Sequence, residues 1–470
     1  MLLKYFYDEK LAHASYLVGC QASGEAIVVD PNRDVDMYLR VAEANNMRIV
    51  GAAETHIHAD YVSGSRELAE RVGAKLYLSD EGDENWKYQF ADQYDSVLLK
   101  DGDTFGVGNI KFEVVHTPGH TPEHISFLLT DGAKTDNPVG IFTGDFVFVG
   151  DIGRPDLLEE AAGLVGTADA GARQMYTSLQ RFAALPDYLQ VWPAHGAGSA
   201  CGKALGAMPS TTVGYEKTFG WAFQIDEEEA FIQALLDGQP EAPKYFAEMK
   251  KVNKVGPRVL KGMPNPTLQP AHRLPELVAQ GTMVVDTRSA ERFAAGHVAG
   301  TLNIPLDMLG GWAGWLLNYD QPFYLVVEPS ELADAIHSLT YIGLDDVAGY
   351  FEPIALDVLA EHGVELQAYD MATPDELAGE IDNGEVVLVD VRGKSEWNEG
   401  HIPGAQHYML GYLLDTADEI INGKPIVVQC QTGGRAAIGA SILQAKGARQ
   451  VINMTGGYNA WMTAGKPVQN

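Results

Sequence analysis

Two groups of residues have the types and spacing that chemistry requires. In the stretch ETHIHADYVSG, Glu54 to Gly64, His56, His58 and Asp60 recur at every second position. Alternate residues of extended or turning backbone project to one side, so His56 and His58 are expected to approach one ion; on a helix they would diverge by about 200°. His120 in TPGHT, Asp145 in TGDF and His195 in WPAHG add further nitrogen and oxygen donors. A lone histidine is more often a satisfied core residue, but several His/Asp clusters that each follow an apolar run point to a bound divalent metal. Zn²⁺ with three protein ligands and a water favours hydrolysis, whereas Fe²⁺ on two histidines and a carboxylate leaves positions for substrate and O₂. These residues by themselves do not choose between the two. Tyr61 stands where another imidazole would be expected, and a phenol ligates poorly until it loses a proton of pKa about 10.

The second group is IVVQCQTGGRAAIGASILQAKG, in which an apolar strand ends at Cys430, a glycine loop follows, and an Ala-rich helix begins near Arg435. Loop amides, the positive helix end and Arg435 favour an anion, and equally a thiolate. Cysteines in such settings fall to roughly 3.5–7.5 from about 8.5, which suits a nucleophile. Four residues separate Cys430 from Arg435; tyrosine phosphatases place five there to wrap a phosphate, and the tighter ring suits sulfur. The remaining cysteines, Cys20 and Cys201, read on composition as small buried apolar groups. Cys201, six residues past His195, is also placed to line the pocket. Arg154 in the GRPD turn has two readings, a substrate-orienting cation or a loop-bracing ion pair.

Strands must deliver the first group. The runs MRIVGAAETHIHAD, IKFEVVHTPGHT, VGIFTGDF and LQVWPAHGAG each have the length and β-branched content of a buried strand ending in a polar cluster, which brings four strand ends to one edge. DEEEAFIQALLDG and EAPKYFAEMKKVN read as helices that close a first domain over 1–255. The stretch from Gly256 to Arg273 carries four prolines and two glycines in 18 residues, and 256–272 is read as a linker. The rest repeats: VVDTRSAERFAAGHVAG, from Val284, superposes on LVDVRGKSEWNEGHIPG, from Leu388, at an offset of 104. That length fits two small α/β domains, 273–365 and 366–470. Val327 and Leu332 of the first copy stand opposite Cys430 and Arg435 of the second.

At 470 residues and 46% hydrophobic content the chain is expected to form about three globular domains. A net charge of −31 disfavours nucleic acid and anionic membrane surfaces. No apolar run reaches 18 residues, the N-terminal segment lacks a signal-peptide pattern, and three cysteines are too few for a disulfide framework; a cytoplasmic protein is expected.

Together His56, His58, Asp60, His120, Asp145 and His195 resemble the H-x-H-x-D-H…His…Asp…His motif of the metallo-β-lactamase superfamily, which implies an αββα sandwich with metals at one edge. The departure is Tyr61: in dinuclear members such as glyoxalase II that position is an imidazole for a second metal, so a mononuclear site is expected. TGDFVFVGDIGRPDL and PAHGAGSACGK resemble the persulfide dioxygenase branch, which implies one Fe(II), with Zn(II) as the alternative, on His56, His120 and Asp145. His58 becomes a near neighbour, and Asp60, Tyr61, Arg154, His195, Cys201 and Cys20 belong to the surroundings or the substrate pocket. DVR, GHIPGA and GGYNAW around Cys430 resemble a rhodanese domain, and the earlier copy an inactive rhodanese fold. The whole order is similar to the CstB-type persulfide dioxygenase-sulfurtransferase family. That resemblance implies oxidation of thiol persulfides by O₂ to sulfite, sulfur transfer giving thiosulfate, and assembly as a homo-oligomer. A zinc thioesterase of glyoxalase II type with an appended sulfurtransferase is the alternative.

Overall fold

The protein is described from a computed structural model, which covers residues 1–157, 159 and 166–469. Two compact units result: Met1–Met263 with Thr340–Gly343, and Pro264–Leu339 with Leu344–Asn470.

The first unit stacks two six-stranded sheets. One runs in sequence order through β1 (Leu2–Asp8), β2 (His13–Cys20), β3 (Glu25–Val29), β4 (Arg48–Ala53), β5 (Lys75–Ser79) and β6 (Ser96–Leu99). The other contains β7 (Thr104–Val107), β8 (Ile110–His116), β9 (Ile125–Asp131), β10 (Gly140–Gly144), β11 (Gln190–Pro193) and β12 (Thr211–Thr212). Period-two alternation sets their inner faces: Ala14, Tyr16, Val18 and Cys20 of β2 meet Phe112, Val114, Phe127, Leu129 and Phe142 of the second sheet. Each fully buried side chain of this kind contributes about 1.5–3 kcal/mol. Outer faces are covered by helices, Asp36–Ala44 and Ser65–Val72 against the first sheet and Thr167–Ala183 and Glu228–Leu236 against the second. This is the αββα sandwich.

β8 and β10 both run antiparallel to β9, and β11 runs parallel to β10, so the C-terminal ends of β8, β10 and β11 share one edge. His120, Asp145 and His195 lie in the loops just beyond them. His56 follows β4 of the facing sheet in the same way.

The second unit holds two parallel sheets. Four strands, β13 (Val284–Asp286), β14 (Leu302–Asn303), β15 (Phe323–Val326) and β16 (Val347–Phe351), lie in the order β14-β13-β15-β16. Five more, β17 (Asp370–Ala372), β18 (Val387–Asp390), β19 (Gln406–His407), β20 (Ile426–Gln429) and β21 (Val451–Met454), lie in the order β17-β21-β20-β18-β19. Leaving out β17, the second sheet has the topology of the first. Each of the two repeats, 273–365 and 366–470, carries one of these sheets, and both sheets belong to one compact unit. The Asn303 N–H on β14 donates to Ser441 Oγ at 3.0 Å, and Trp315 packs edge-on against Tyr412.

Candidate functional site

His56, His120 and Asp145 form a buried group whose donor atoms all lie within 4.8 Å of one another. Asp145 Oδ2 is 3.4 Å from His120 Nε2 and 3.9 Å from His56 Nε2. The opposite ring nitrogens are occupied: His120 Nδ1 donates to the Arg154 carbonyl at 3.0 Å, and His56 Nδ1 meets Thr55 Oγ1 at 3.0 Å. Such bonds fix ring orientation and leave Nε2 as the ligating atom. Burial, reinforced by neighbouring imidazoles, holds His56 well below the usual histidine range, and burial lowers His120. Neutral imidazoles are what a metal requires.

Both Asp145 oxygens are buried without a hydrogen-bond partner. A buried carboxylate left in that state is costly unless a cation sits against it. The donor set therefore fits a divalent transition metal. Asp145 is aimed by its own N–H, which donates to His124 Nε2 at 3.1 Å, while His124 Nδ1 lies 2.8 Å from Thr117 Oγ1. At Gly153 an added Cβ would fall 1.8 Å from the Asp145 carbonyl oxygen, so the GRPD turn requires glycine there.

A second group, Asp60, His195 and Cys201, adjoins the first and could also hold an ion. His195 Nε2 lies 3.1 Å from Asp60 Oδ2 and 3.3 Å from Asp145 Oδ1, which sets the Asp145 carboxylate between the two groups. Burial pushes His195 down, but Asp145 and Asp60 outweigh it and raise the imidazole to about 10. Burial and the same carboxylates push the Cys201 thiol well above its ordinary value.

His58 does not join His56. Its Nε2 lies 3.0 Å from Glu54 Oε2 and 3.2 Å from Asp30 Oδ1, forming a third buried group, and these carboxylates raise it despite burial. The expectation that both histidines approach one ion is corrected by this pairing with Glu54, which opens the same stretch, and with Asp30 at the end of β3. Asp30 also accepts from Thr55 through its N–H and its hydroxyl, which ties the end of β3 to the metal loop. The fully buried Tyr61 hydroxyl donates to the Asp30 carbonyl at 3.2 Å, and burial pushes the phenol well above its ordinary value. It stays protonated.

Arg154 is fully buried and grips Asp156 through Nε and Nη2, the loop-bracing reading. Cys20 requires a correction. It ends β2 seven residues from His13, roughly 23 Å of strand, and its thiol accepts from the Asn109 N–H at 3.4 Å, away from the metal group. Sequence reasoning missed His13, buried against Tyr61 with 3.9 Å between ring centroids and without partners for either nitrogen. It also missed Asn253, whose amide donates to the His58 and Tyr61 carbonyls and so locks helix Phe246–Val255 to the motif loop.

Cys430 is buried at the end of β20, and the Gly433 N–H donates to its Sγ at 3.1 Å. Gly433 adopts φ +104°, which glycine tolerates and which turns that amide inward. Helix Gly434–Ala445 follows. Arg435 makes a two-pronged pair with Glu396, both contacts at 2.6 Å, another residue sequence reasoning missed.

Two family descriptions match: the metallo-beta-lactamase superfamily over residues 9–195 and the rhodanese-like domain over 373–464. A crystal structure of a metallo-beta-lactamase from Staphylococcus aureus subsp. aureus COL is 45% identical, covering 75% of this chain and 99% of that one, with a TM-score of 0.68. The chain belongs to the metallo-β-lactamase superfamily. Its metallo-β-lactamase domain is followed by a C-terminal rhodanese-like domain. Within the superfamily it is 30% identical to a hydroxyacylglutathione hydrolase of Pelagibacter ubique over 38% of this chain and 65% of that protein. It is 26% identical to a probable polyketide biosynthesis zinc-dependent hydrolase, BaeB, of Bacillus velezensis over 48% and 88% respectively. Among the described residues no helix is long and apolar enough to cross a membrane.

Proposed function

We propose that the chain oxidises low-molecular-weight thiol persulfides to sulfite with O₂ at ferrous iron on His56, His120 and Asp145, and transfers sulfane sulfur at Cys430 to give thiosulfate. The observation that carries this reading is the buried group of two imidazoles and one carboxylate without a hydrogen-bond partner, in the same chain as a cysteine loop of rhodanese type. When bound, ferrous iron supplies positions for the persulfide sulfur and O₂ and the electrons they exchange. The protein's part is to hold the imidazoles neutral by burial, to orient them through Thr55 and the Arg154 carbonyl, and to keep Tyr61 protonated and out of the ligand set.

At the second site the Cys430 thiolate attacks the outer sulfur of a persulfide. The S–S bond breaks, the thiol leaves, and a cysteine persulfide forms. The sulfite sulfur then attacks that outer sulfur, giving thiosulfate and releasing the Cys430 thiolate. The inward amides and Arg435 stabilise the anions passing through this loop. The copy over 273–365, with Val327 and Leu332 where the other has Cys430 and Arg435, is a rhodanese fold that does not transfer sulfur. A reducing cytoplasm and a homo-oligomer belong to the same proposal.

A second reading, thioester hydrolysis at a dinuclear zinc site, is favoured by the Asp60, His195 and Cys201 group beside Asp145. Metal analysis of protein prepared without oxidation, with two assays, separates them. One iron per chain and O₂ uptake on adding a thiol persulfide support the first. Two zinc ions, no O₂ uptake and rapid cleavage of a glutathione thioester would establish the second. His120→Ala is expected to lose both metal and oxidation.

A further inference from the structure

Three carbonyls of the loop that begins at Cys430 are gripped by one stretch of chain. The Tyr458 N–H donates to the Cys430 carbonyl at 2.7 Å, the Asn459 N–H to the Gln431 carbonyl at 3.1 Å, and the Asn453 side-chain amide to the Gly433 carbonyl at 3.3 Å. These donors lie at the end of β21 and in the first turn of helix Gly457–Thr463. We propose that Asn453 is a positioning residue for sulfur transfer: with the two backbone amides it draws the loop's carbonyls outward and so turns the loop's N–H groups onto the sulfur at Cys430 and the attacking sulfite. This rests on the reading that sulfane sulfur is carried at Cys430.

Peptide geometry sets the direction. In a trans peptide the N–H points opposite to the C=O of the preceding residue, and the loop contains no cis bond. Holding the carbonyls of Cys430, Gln431 and Gly433 from outside therefore directs the N–H groups of Gln431, Thr432 and Gly434 to the other side. The remaining amide, that of Gly433, already meets Cys430 Sγ at 3.1 Å. Successive N–H groups turned to one side form a fixed set of partial positive charges for an anion.

In the first copy the corresponding donors turn elsewhere. Strand register sets Tyr350 in the place of Asn453, since Leu325 pairs with Tyr350 as Val428 pairs with Asn453. Ala355 and Leu356 then stand for Tyr458 and Asn459, and their N–H groups close their own turn on the Glu352 and Pro353 carbonyls at 2.9 and 3.1 Å. Gly457 differs for a related reason. A Cβ there would fall 2.1 Å from the Cys430 carbonyl, so only glycine permits the approach, and the first copy has Ile354. Asn453 itself is buried with its Oδ1 unpartnered, on a strand that also carries the apolar, buried Val451 and Met454. A polar group kept there costs stability; its hold on the loop accounts for it.

Asn453→Leu in the full chain tests this with two readouts. One is kcat/KM for sulfite in thiosulfate formation. The other is the ratio of Cys430 alkylation rates by iodoacetate and by uncharged iodoacetamide at one pH, followed by peptide mass spectrometry; the thiolate fraction cancels in that ratio, which reads the loop's preference for an anion. We expect kcat/KM to fall roughly tenfold and the ratio roughly threefold or more, with persulfide-dependent O₂ uptake unchanged. Where Asn453→Leu does not fold, Gly457→Ala carries the same test, because its methyl displaces the Cys430 carbonyl from the Tyr458 amide. A folded variant in which neither quantity moves overturns the inference. So does a fall in kcat/KM with an unchanged ratio, the mark of a merely structural residue, or a fall in the ratio with kcat/KM intact. A ratio that falls as expected in a chain whose wild type makes no thiosulfate removes the sulfur-transfer reading and leaves the grip on the loop standing. Thiosulfate formation by the wild type with a ratio that Asn453→Leu does not alter does the reverse.

Discussion

In the first repeat of the second unit Arg288 donates to both oxygens of Asp286 and to the Gly296 carbonyl; in the second Arg392 does the same to Asp390 and Gly400. His297 stacks on Phe293 with centroids 3.8 Å apart, and His401 on Trp397 at 3.7 Å. The repeated motifs are thus braces that hold a strand end, a helix and a turn together. The copies part at the loop after the third strand. The position that is Arg292 in one copy is Glu396 in the other, and the pair it makes is reversed in sign: Arg292 binds Glu328 of the first loop at 2.7 Å, whereas Glu396 binds Arg435 of the second. One loop presents acid, the other base and a thiol. What repeats marks the fold, and what fails to repeat marks the chemistry.

The largest way to sharpen this contrast is Cys430→Ser. Sulfur transfer to sulfite should fall about 10³-fold or more while persulfide-dependent O₂ uptake is unchanged. Parallel loss of both activities would contradict the division between sites. Next come the braces. Asp286→Ala and Asp390→Ala each strand a buried guanidinium, and denaturant unfolding should show each losing about 3–5 kcal/mol. A loss confined to Asp390→Ala would break the equivalence of the copies. Arg435→Leu, which installs the residue of the first copy, should then lower kcat/KM for sulfite roughly ten- to a hundredfold, the worth of a charge-assisted hydrogen bond, without altering the melting temperature by more than a few degrees.

How much of this was legible depended on the distance over which each signal acts. Apolar runs ending in His or Asp announced the strand ends that carry His56, His120, Asp145 and His195, and strand, glycine loop and helix announced Cys430. Those are local patterns. The partners that decide what each residue does came from afar: Asp30 lies 28 residues before His58, Asn253 lies 195 after it, and Glu396 precedes Arg435 by 39. An isolated Asp, Asn or Glu carries no spacing signal, so the third buried group and the Arg435 pair stayed hidden. Cys20 shows the same limit differently. Its composition announced a small buried group, and β2 carries it on the inner face with Ala14, Tyr16 and Val18, but composition says nothing about which end of the sandwich a residue occupies.

The smallest expected effect is the most demanding of the comparison. The double variant Val327→Cys with Leu332→Arg restores the thiol and the cation to the first copy at an unchanged spacing of four intervening residues, and a thiosulfate assay in the Cys430→Ser background should register no gain. Three features of that loop work against an anion. Pro329 has no N–H to turn inward where the second loop offers Thr432. Glu328 and Glu331 add negative charge beside the thiol, which raises the cost of its ionisation. Arg292 would meet the introduced guanidinium where Glu396 meets Arg435, so the pair that orients the cation becomes a repulsion. Measurable thiosulfate formation by this variant would mean that cysteine and arginine alone suffice, and that the inward Gly433 amide and the sign of the Glu396 pair are incidental.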